Sequence, residues 1–215
     1  MKIALSKLRK NRIEHMPRYL EIAASKKRNL NWDAVRDVPV PGGLVYDMRK
    51  LPMQGVSANT YNGVYNEHFI EHLEKDEGIN FFKEMYRVML PGGTIRTVWP
   101  PMEFVHWLKS NEDLTNHWFV RHYYDFYVVR HKFAPKGHEH KSLQLQCAEG
   151  FLWQGGEHKH LWYKQEMIDS LKELGYHNVK EFSYQKSQVS DFRNIDTPGD
   201  IRAFHSAVIE AQKPW

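Results

Sequence analysis

The chain has 215 residues, 41% of them hydrophobic and 26% charged, with a mean hydropathy of −0.66. That is about one globular domain. It excludes a disordered chain, a collagen and a disulfide-stapled mini-protein, and no apolar run approaches the ~20 residues that cross a bilayer. The net charge is +4, but residues 1–31 hold nine Lys and Arg against Glu14 and Glu21, a local +7. Such a patch attracts an anionic partner (nucleic acid, phosphate or acidic glycan) or is a solvated helix face.

Residues 2–14 carry Ile3, Leu5, Leu8 and Ile13 among charges, which predicts a basic N-terminal helix that Pro17 stops. The first ten residues lack the apolar core and cleavage site of a signal peptide, so a cytoplasmic protein is expected. Strands are predicted over 19–24, 30–35 and 44–46, broken by Pro39, Pro41, Gly42 and Gly43. A fourth spans 61–65. Residues 76–90 form an amphipathic helix, with Ile79, Phe82, Met85, Tyr86 and Met89 at helical spacing. Pro91-Gly92-Gly93 reads as a tight turn and 94–99 as a strand. Strand, helix, turn, strand is a βαβ unit and implies a parallel sheet, which binds ligands at the carboxyl ends of its strands. Residues 102–150 are dense in aromatics and histidines and read as a helical insertion. A helix over 166–174 and strands over 179–184 and 203–211 complete the chain. With no repeat and no linker, 1–215 is expected to be a single domain. Cys147 is the only cysteine, which rules out an internal disulfide and any multi-cysteine zinc site.

Two motifs stand out: Tyr61-Asn62-Gly63-Val64-Tyr65-Asn66-Glu67-His68-Phe69-Ile70-Glu71-His72-Leu73, and Tyr86-Arg87-Val88-Met89-Leu90-Pro91-Gly92-Gly93-Thr94-Ile95-Arg96. Together they resemble the class I S-adenosylmethionine (SAM)-dependent methyltransferases, in particular the type 11-like small-molecule and glycan group. The likeness extends outward through Leu20-Glu21-Ile22-Ala23-Ala24-Ser25, Asn31-Trp32-Asp33, Tyr46-Asp47-Met48-Arg49 and Gly156-Glu157-His158-Lys159-His160. It covers about residues 19–101 and 155–214 and leaves the insertion out.

The resemblance implies an α/β fold: a Rossmann-like, seven-stranded, mostly parallel sheet with the insertion after strand 5. It implies SAM as cofactor, with Glu21, Ala23 and Ser25 in the loop after the first strand. Asp33 would accept the ribose hydroxyls, Asp47 and Met48 would flank the adenine, and Asn66 and His68 would line the floor. Ala23 and Ser25 replace the family's glycines, and a Cβ at a position needing positive φ costs on the order of 1 kcal/mol.

His68, Glu71 and His72 lie at i, i+3 and i+4, a spacing that suits a metal. They also fit the family motif, which needs none, and no metal is expected. His72 or His68 is a candidate general base. His158 sits at the family's substrate-facing position. Trp107 and Tyr123 are candidates to stack on an acceptor, unless the aromatic stretch is the core of the insertion. The pairs His138/His140 and His158/His160, read as strand alternation, could build a four-nitrogen site or be loop residues.

The function implied is methyl transfer to an oxygen or nitrogen of a small molecule, sugar or glycan. Two alternatives stay open: a degenerate methyltransferase-fold scaffold or partner subunit, motivated by Ala23 and Ser25, and a nucleic-acid-binding or -modifying protein, motivated by the basic N-terminus. No membrane contact is expected, and a homo-oligomer is compatible with the sequence.

Overall fold

The structure is a computed structural model that describes residues 19–24, 28, 31–39, 41–111, 113–132, 137 and 141–215. The basic helix expected over 2–14, and Ser25, His138 and His140, lie outside the described residues. Seven strands form one sheet: β1 (Tyr19–Ile22), β2 (Trp32–Arg36), β3 (Leu44–Val45), β4 (Tyr61–Glu67), β5 (Met89–Trp99), β6 (His177–Glu181) and β7 (Ala207–Gln212). Their order is β3-β2-β1-β4-β5-β7-β6. β1 to β5 are parallel, and β7 runs antiparallel to both β5 and β6.

One face of the sheet is covered by helices α1 (Lys75–Val88) and α5 (Lys164–Glu173). A reciprocal capping box starts α1, with the backbone N–H of Glu74 donating to Glu77 at 2.9 Å. This satisfies amides that the first turn leaves unpaired. The periodic stripe Phe81, Phe82, Met85 and Val88 is fully buried against Trp162, Met167 and Leu171. Gly78 lets the Trp162 ring lie on the helix, since a Cβ there would sit 2.9 Å from Cζ2.

The other face has no helix among the described residues of the β1–β2 and β2–β3 connections. Residues 182–197 cover it instead. Phe192 and Ile195 pack on Tyr19, Trp32, Tyr65, Val98 and Val208. Buried Arg96 fastens this segment: Nε donates to Asp196 at 2.8 Å, and Nη1 donates to Glu210 and to the Lys186 carbonyl, both at 2.8 Å.

Three local expectations are corrected. Pro91-Gly92-Gly93 is not a turn between elements but an irregularity inside β5, where the pairing shifts between Tyr61 and Gly63. Gly92 has φ +77°, and the Trp215 ring occupies the place of its missing Cβ. The last strand does not begin at Ala203. Residues Asp200–His205 form a short helix, α6, and β7 starts at Ala207. His158 and His160 lie in irregular chain, so they are not alternating residues of a strand.

The segment after β5 forms α2 (Met102–Ser110), α3 (Trp118–Tyr123) continued by a π-helical stretch to Arg130, and α4 (Leu143–Trp153). These enclose a second core of Phe104, Leu108, Phe119, Tyr123, Cys147 and Phe151. Burial pushes the Cys147 thiol up to about 12, so it stays an unreactive packing group. Among the described residues no helix is long and apolar enough to cross a membrane.

Candidate functional site

A parallel sheet changes winding direction where neighbouring strands connect to opposite sides, and the crevice there is open at the carboxyl ends. Here that point lies between β1 and β4. A cavity of about 720 Å³ opens over it, a size suited to a nucleotide-sized ligand. Ala23 follows β1. Val35 and Arg36 end β2 and Asp37 follows it, Tyr46 to Arg49 follow β3, and Glu67 ends β4 with His68 and Phe69 just after it. His72, Leu73, Gly156, Glu157, Lys159 and Arg202 close the wall.

Two residues at the rim hold left-handed backbone. Ala23 has φ +58° and His68 has φ +48°. The Ala23 conformation is the one glycine adopts freely in such loops, so the alanine carries strain. His68 keeps the sheet pairing through its N–H, which donates to the Val98 carbonyl at 2.8 Å, while the kink turns its ring into the cavity wall. Its Nε2 lies 2.9 Å from Ser206 Oγ and its Nδ1 3.3 Å from Glu71 Oε1.

Glu67 is a fixed anion on the same wall. It accepts from Tyr184 at 2.6 Å, Thr197 Oγ1 at 2.6 Å and Tyr65 at 2.9 Å, and Arg202 approaches to 3.6 Å. Burial alone would raise its carboxyl, but the hydrogen bonds from Thr197 and Tyr184 outweigh burial and hold it below the usual range. Asp47 is also held low, by hydrogen bonds from the side chain and backbone of Arg49.

Behind this wall the turn Ile70–His72 meets the chain after α4. The backbone N–H groups of Lys159 and His160 donate to the Glu71 carbonyl at 2.8 and 3.3 Å. His72 donates from Nδ1 to the Glu157 carbonyl at 3.2 Å, and His158 donates from Nδ1 to the Phe151 carbonyl at 2.5 Å. The two rings meet edge to face at 5.0 Å. Burial pushes the His158 imidazole down to about 4, so it is neutral at pH 7.

The structure brings Ala23, Asp47, Met48, His68 and His72 together around the cavity. The other predicted residues that the structure describes lie elsewhere. Asp33 is the second residue of β2, in register with Leu20, and accepts from the Tyr61 hydroxyl at 3.0 Å. The acid at the cavity is Asp37, four positions on, or ~13 Å of strand. Glu21 is turned away and held by a bidentate Arg28, at 2.7 and 2.8 Å. Asn66 is fully buried in the sheet, donating to Thr97 Oγ1 at 3.0 Å. His158 lies behind His72 rather than on the cavity surface. Tyr123 stacks on Phe151 at 4.2 Å and Trp107 on Phe104 at 5.4 Å, so both belong to the core of the insertion. Asp37, Glu67 and Arg202 were missed. Asp37 was visible as the first acid after the apolar run of β2, and Glu67 as the last residue of β4.

No protein-family model and no curated protein matches the chain. Among solved structures it is similar to a SAM-dependent methyltransferase from Archaeoglobus fulgidus, with TM-score 0.52 and 14% identity over 99% of this chain and 94% of that one. It is also similar to a chain from a Haloferax volcanii complex of the Trm112 methyltransferase activator with a methyltransferase, with TM-score 0.53 and 13% identity over 96% and 89% of the two chains. The chain has the fold of the class I SAM-dependent methyltransferases. At these identities the likeness carries the fold and says nothing of an acceptor.

The residues present suit SAM. Asp37 at the end of β2 offers a carboxylate to a pair of ribose hydroxyls, Val35 and Met48 offer apolar surface to a base, and Glu67 offers a fixed negative charge to a cation.

Proposed function

We propose that this chain is a methyltransferase that transfers the methyl group of SAM to an oxygen or nitrogen of a small molecule, sugar or glycan. The observation that carries this reading is the cavity at the β1/β4 switch point, with Asp37, Asp47 and Glu67 spaced around it. When bound, SAM supplies an already activated methyl group, so the protein's task is to position two partners and exclude water. Asp37 holds the ribose, Asp47 and Met48 flank the adenine, and Glu67 faces the positive end of the cofactor.

His68 is the proton acceptor in this reading. Its Nδ1 lies 3.3 Å from buried Glu71, which orients the ring and makes Nε2, now 2.9 Å from Ser206 Oγ, the nitrogen that would take a proton. His72, also on the wall, has Nδ1 engaged by the Glu157 carbonyl.

Calorimetric titration with SAM and with S-adenosylhomocysteine tests the reading. Micromolar binding that is lost in Asp37→Ala and kept in Asp33→Ala is the expected result. The absence of heat and of any thermal shift at millimolar ligand would overturn it. That outcome would favour the second reading, a methyltransferase fold kept as a scaffold, for which the strained Ala23 at φ +58° is the specific support.

A further inference from the structure

Glu71 is completely buried; its Oε1 has His68 Nδ1 at 3.3 Å, and no donor among the described residues reaches Oε2. A buried carboxylate is costly unless its lone pairs are engaged, and one histidine beside Oε1 leaves Oε2 open to a cation. His72 and His158 stand beside it, and one ligand atom from each of the three residues lies within 4.8 Å of the other two.

The chemistry of the two histidines is constrained by their other contacts. A backbone carbonyl only accepts, so His72 and His158 must each carry the ring proton on Nδ1, where they meet the Glu157 and Phe151 carbonyls. In the neutral ring this leaves a lone pair on Nε2. An imidazole N–H anchored on a carbonyl is also how proteins orient histidines that bind metals. The three groups therefore offer lone pairs to one another and no proton.

We propose that Glu71, His72 and His158 bind one divalent first-row transition-metal ion, with zinc as the fitting candidate. Two imidazoles and a carboxylate are zinc donors, whereas magnesium and calcium favour all-oxygen sets. Tetrahedral zinc holds its ligand atoms roughly 3.4 Å apart, so the trio must contract by a little over 1 Å. Half-buried His72, pivoting about its Nδ1 anchor on the Glu157 carbonyl, would make most of that movement. His72 also borders the cavity, which leaves the fourth position open on that side. The ion would tie the Ile70–His72 turn to the Gly156–Lys159 wall of the cavity. Nothing in this assignment depends on SAM.

The test uses the full chain, stripped with a chelator and titrated with zinc. One zinc per chain by elemental analysis is expected, with a rise in Tm of about 5–10 °C at zinc 100-fold above Kd. Cobalt in place of zinc should give the intense visible bands of a tetrahedral site. His72→Ala, which changes a half-exposed side chain and so keeps the fold, should abolish stoichiometric binding, the thermal shift and the cobalt bands. Glu71→Gln should do the same. A double variant His138→Ala/His140→Ala should leave all three unchanged. Zinc that dialyses away from the wild-type chain, or that His72→Ala retains, would overturn the proposal.

Discussion

Ala23 is the sharpest test of the cavity's construction. Its φ of +58° places an alanine where the backbone disfavours a Cβ. Left-handed backbone costs a non-glycine residue about 1–2 kcal/mol. Ala23→Gly removes that strain, while the freer unfolded glycine chain takes back about 0.4–1 kcal/mol. The net expectation is a stabilisation of roughly 1 kcal/mol, read as a Tm increase of about 2–4 °C for a chain of this size. Ala23→Val should move the other way, by roughly 1–3 kcal/mol, because a β-branched side chain tolerates positive φ worst. Urea and thermal melts of the three proteins measure both changes, and calorimetry should show tighter SAM binding by the glycine variant. A glycine variant that melts lower than the parent, or a valine variant that melts at the same temperature, would refute the left-handed assignment and the strain argument with it.

Asp196→Asn should be far more damaging. It leaves the fully buried Arg96 with Glu210 as its only anion, and breaking such a pair costs about 3–5 kcal/mol, so the Tm should fall by roughly 10 °C. Gly63→Ala should cost about 1–3 kcal/mol, because the new Cβ would meet Phe192 Cζ and the Thr94 carbonyl oxygen, both at 2.8 Å; a trimmed Phe192→Leu partner should recover part of the loss. Burial among Phe104, Phe119 and Phe151, with nearby His68 and Arg202 adding positive charge, pushes the His205 imidazole down to about 3, despite its bond to the Ile201 carbonyl and nearby Glu71. The unfolded chain therefore takes up this proton first. The stability from a neutral His205 is complete above pH 6.5 and declines as the pH falls toward 3, by about 2 kcal/mol at pH 5. Denaturant melts from pH 7.5 to 5 should show that decline, and His205→Phe should reduce it by that amount. An unchanged slope in the variant would show that His205 is not the group responsible.

Local signals were enough for the elements whose sequence carries a complete period. The stripe of α1 runs through four turns and needs no partner to be read, and its observed span, Lys75–Val88, differs from the sequence expectation by one or two residues. The strand and helix order likewise announced a parallel sheet. What failed was whatever depends on a distant neighbour. Ala203 to Ala211 alternates like one strand, but the first part is helix α6, which packs His205 and Phe204 against the rings of the insertion. Asp33 and Asp37 are both acids near the end of an apolar run, and only the pairing of Leu20 with Asp33 shows that Asp33 lies too far upstream. The aromatic run could have faced a ligand or a core, and the contacts of Tyr123 and Trp107 with Phe151 and Phe104 decided for the core.

The motif from Tyr61 to Leu73 and its successor around Pro91 determined, by themselves, that a strand would deliver His68, Glu71 and His72 to the carboxyl edge of a parallel sheet. Spacing along one chain is enough for that, because each residue's direction follows from the element it sits on. Tertiary structure alone decided what these residues meet there. His158 comes from a segment some 80 positions later in the chain, and no local period reports that the Phe151 carbonyl anchors it or that its imidazole comes to rest beside Glu71. A buried carboxylate is recognisable only once its surroundings are known, since burial and the neighbours it meets are properties of the packed fold and not of the residue.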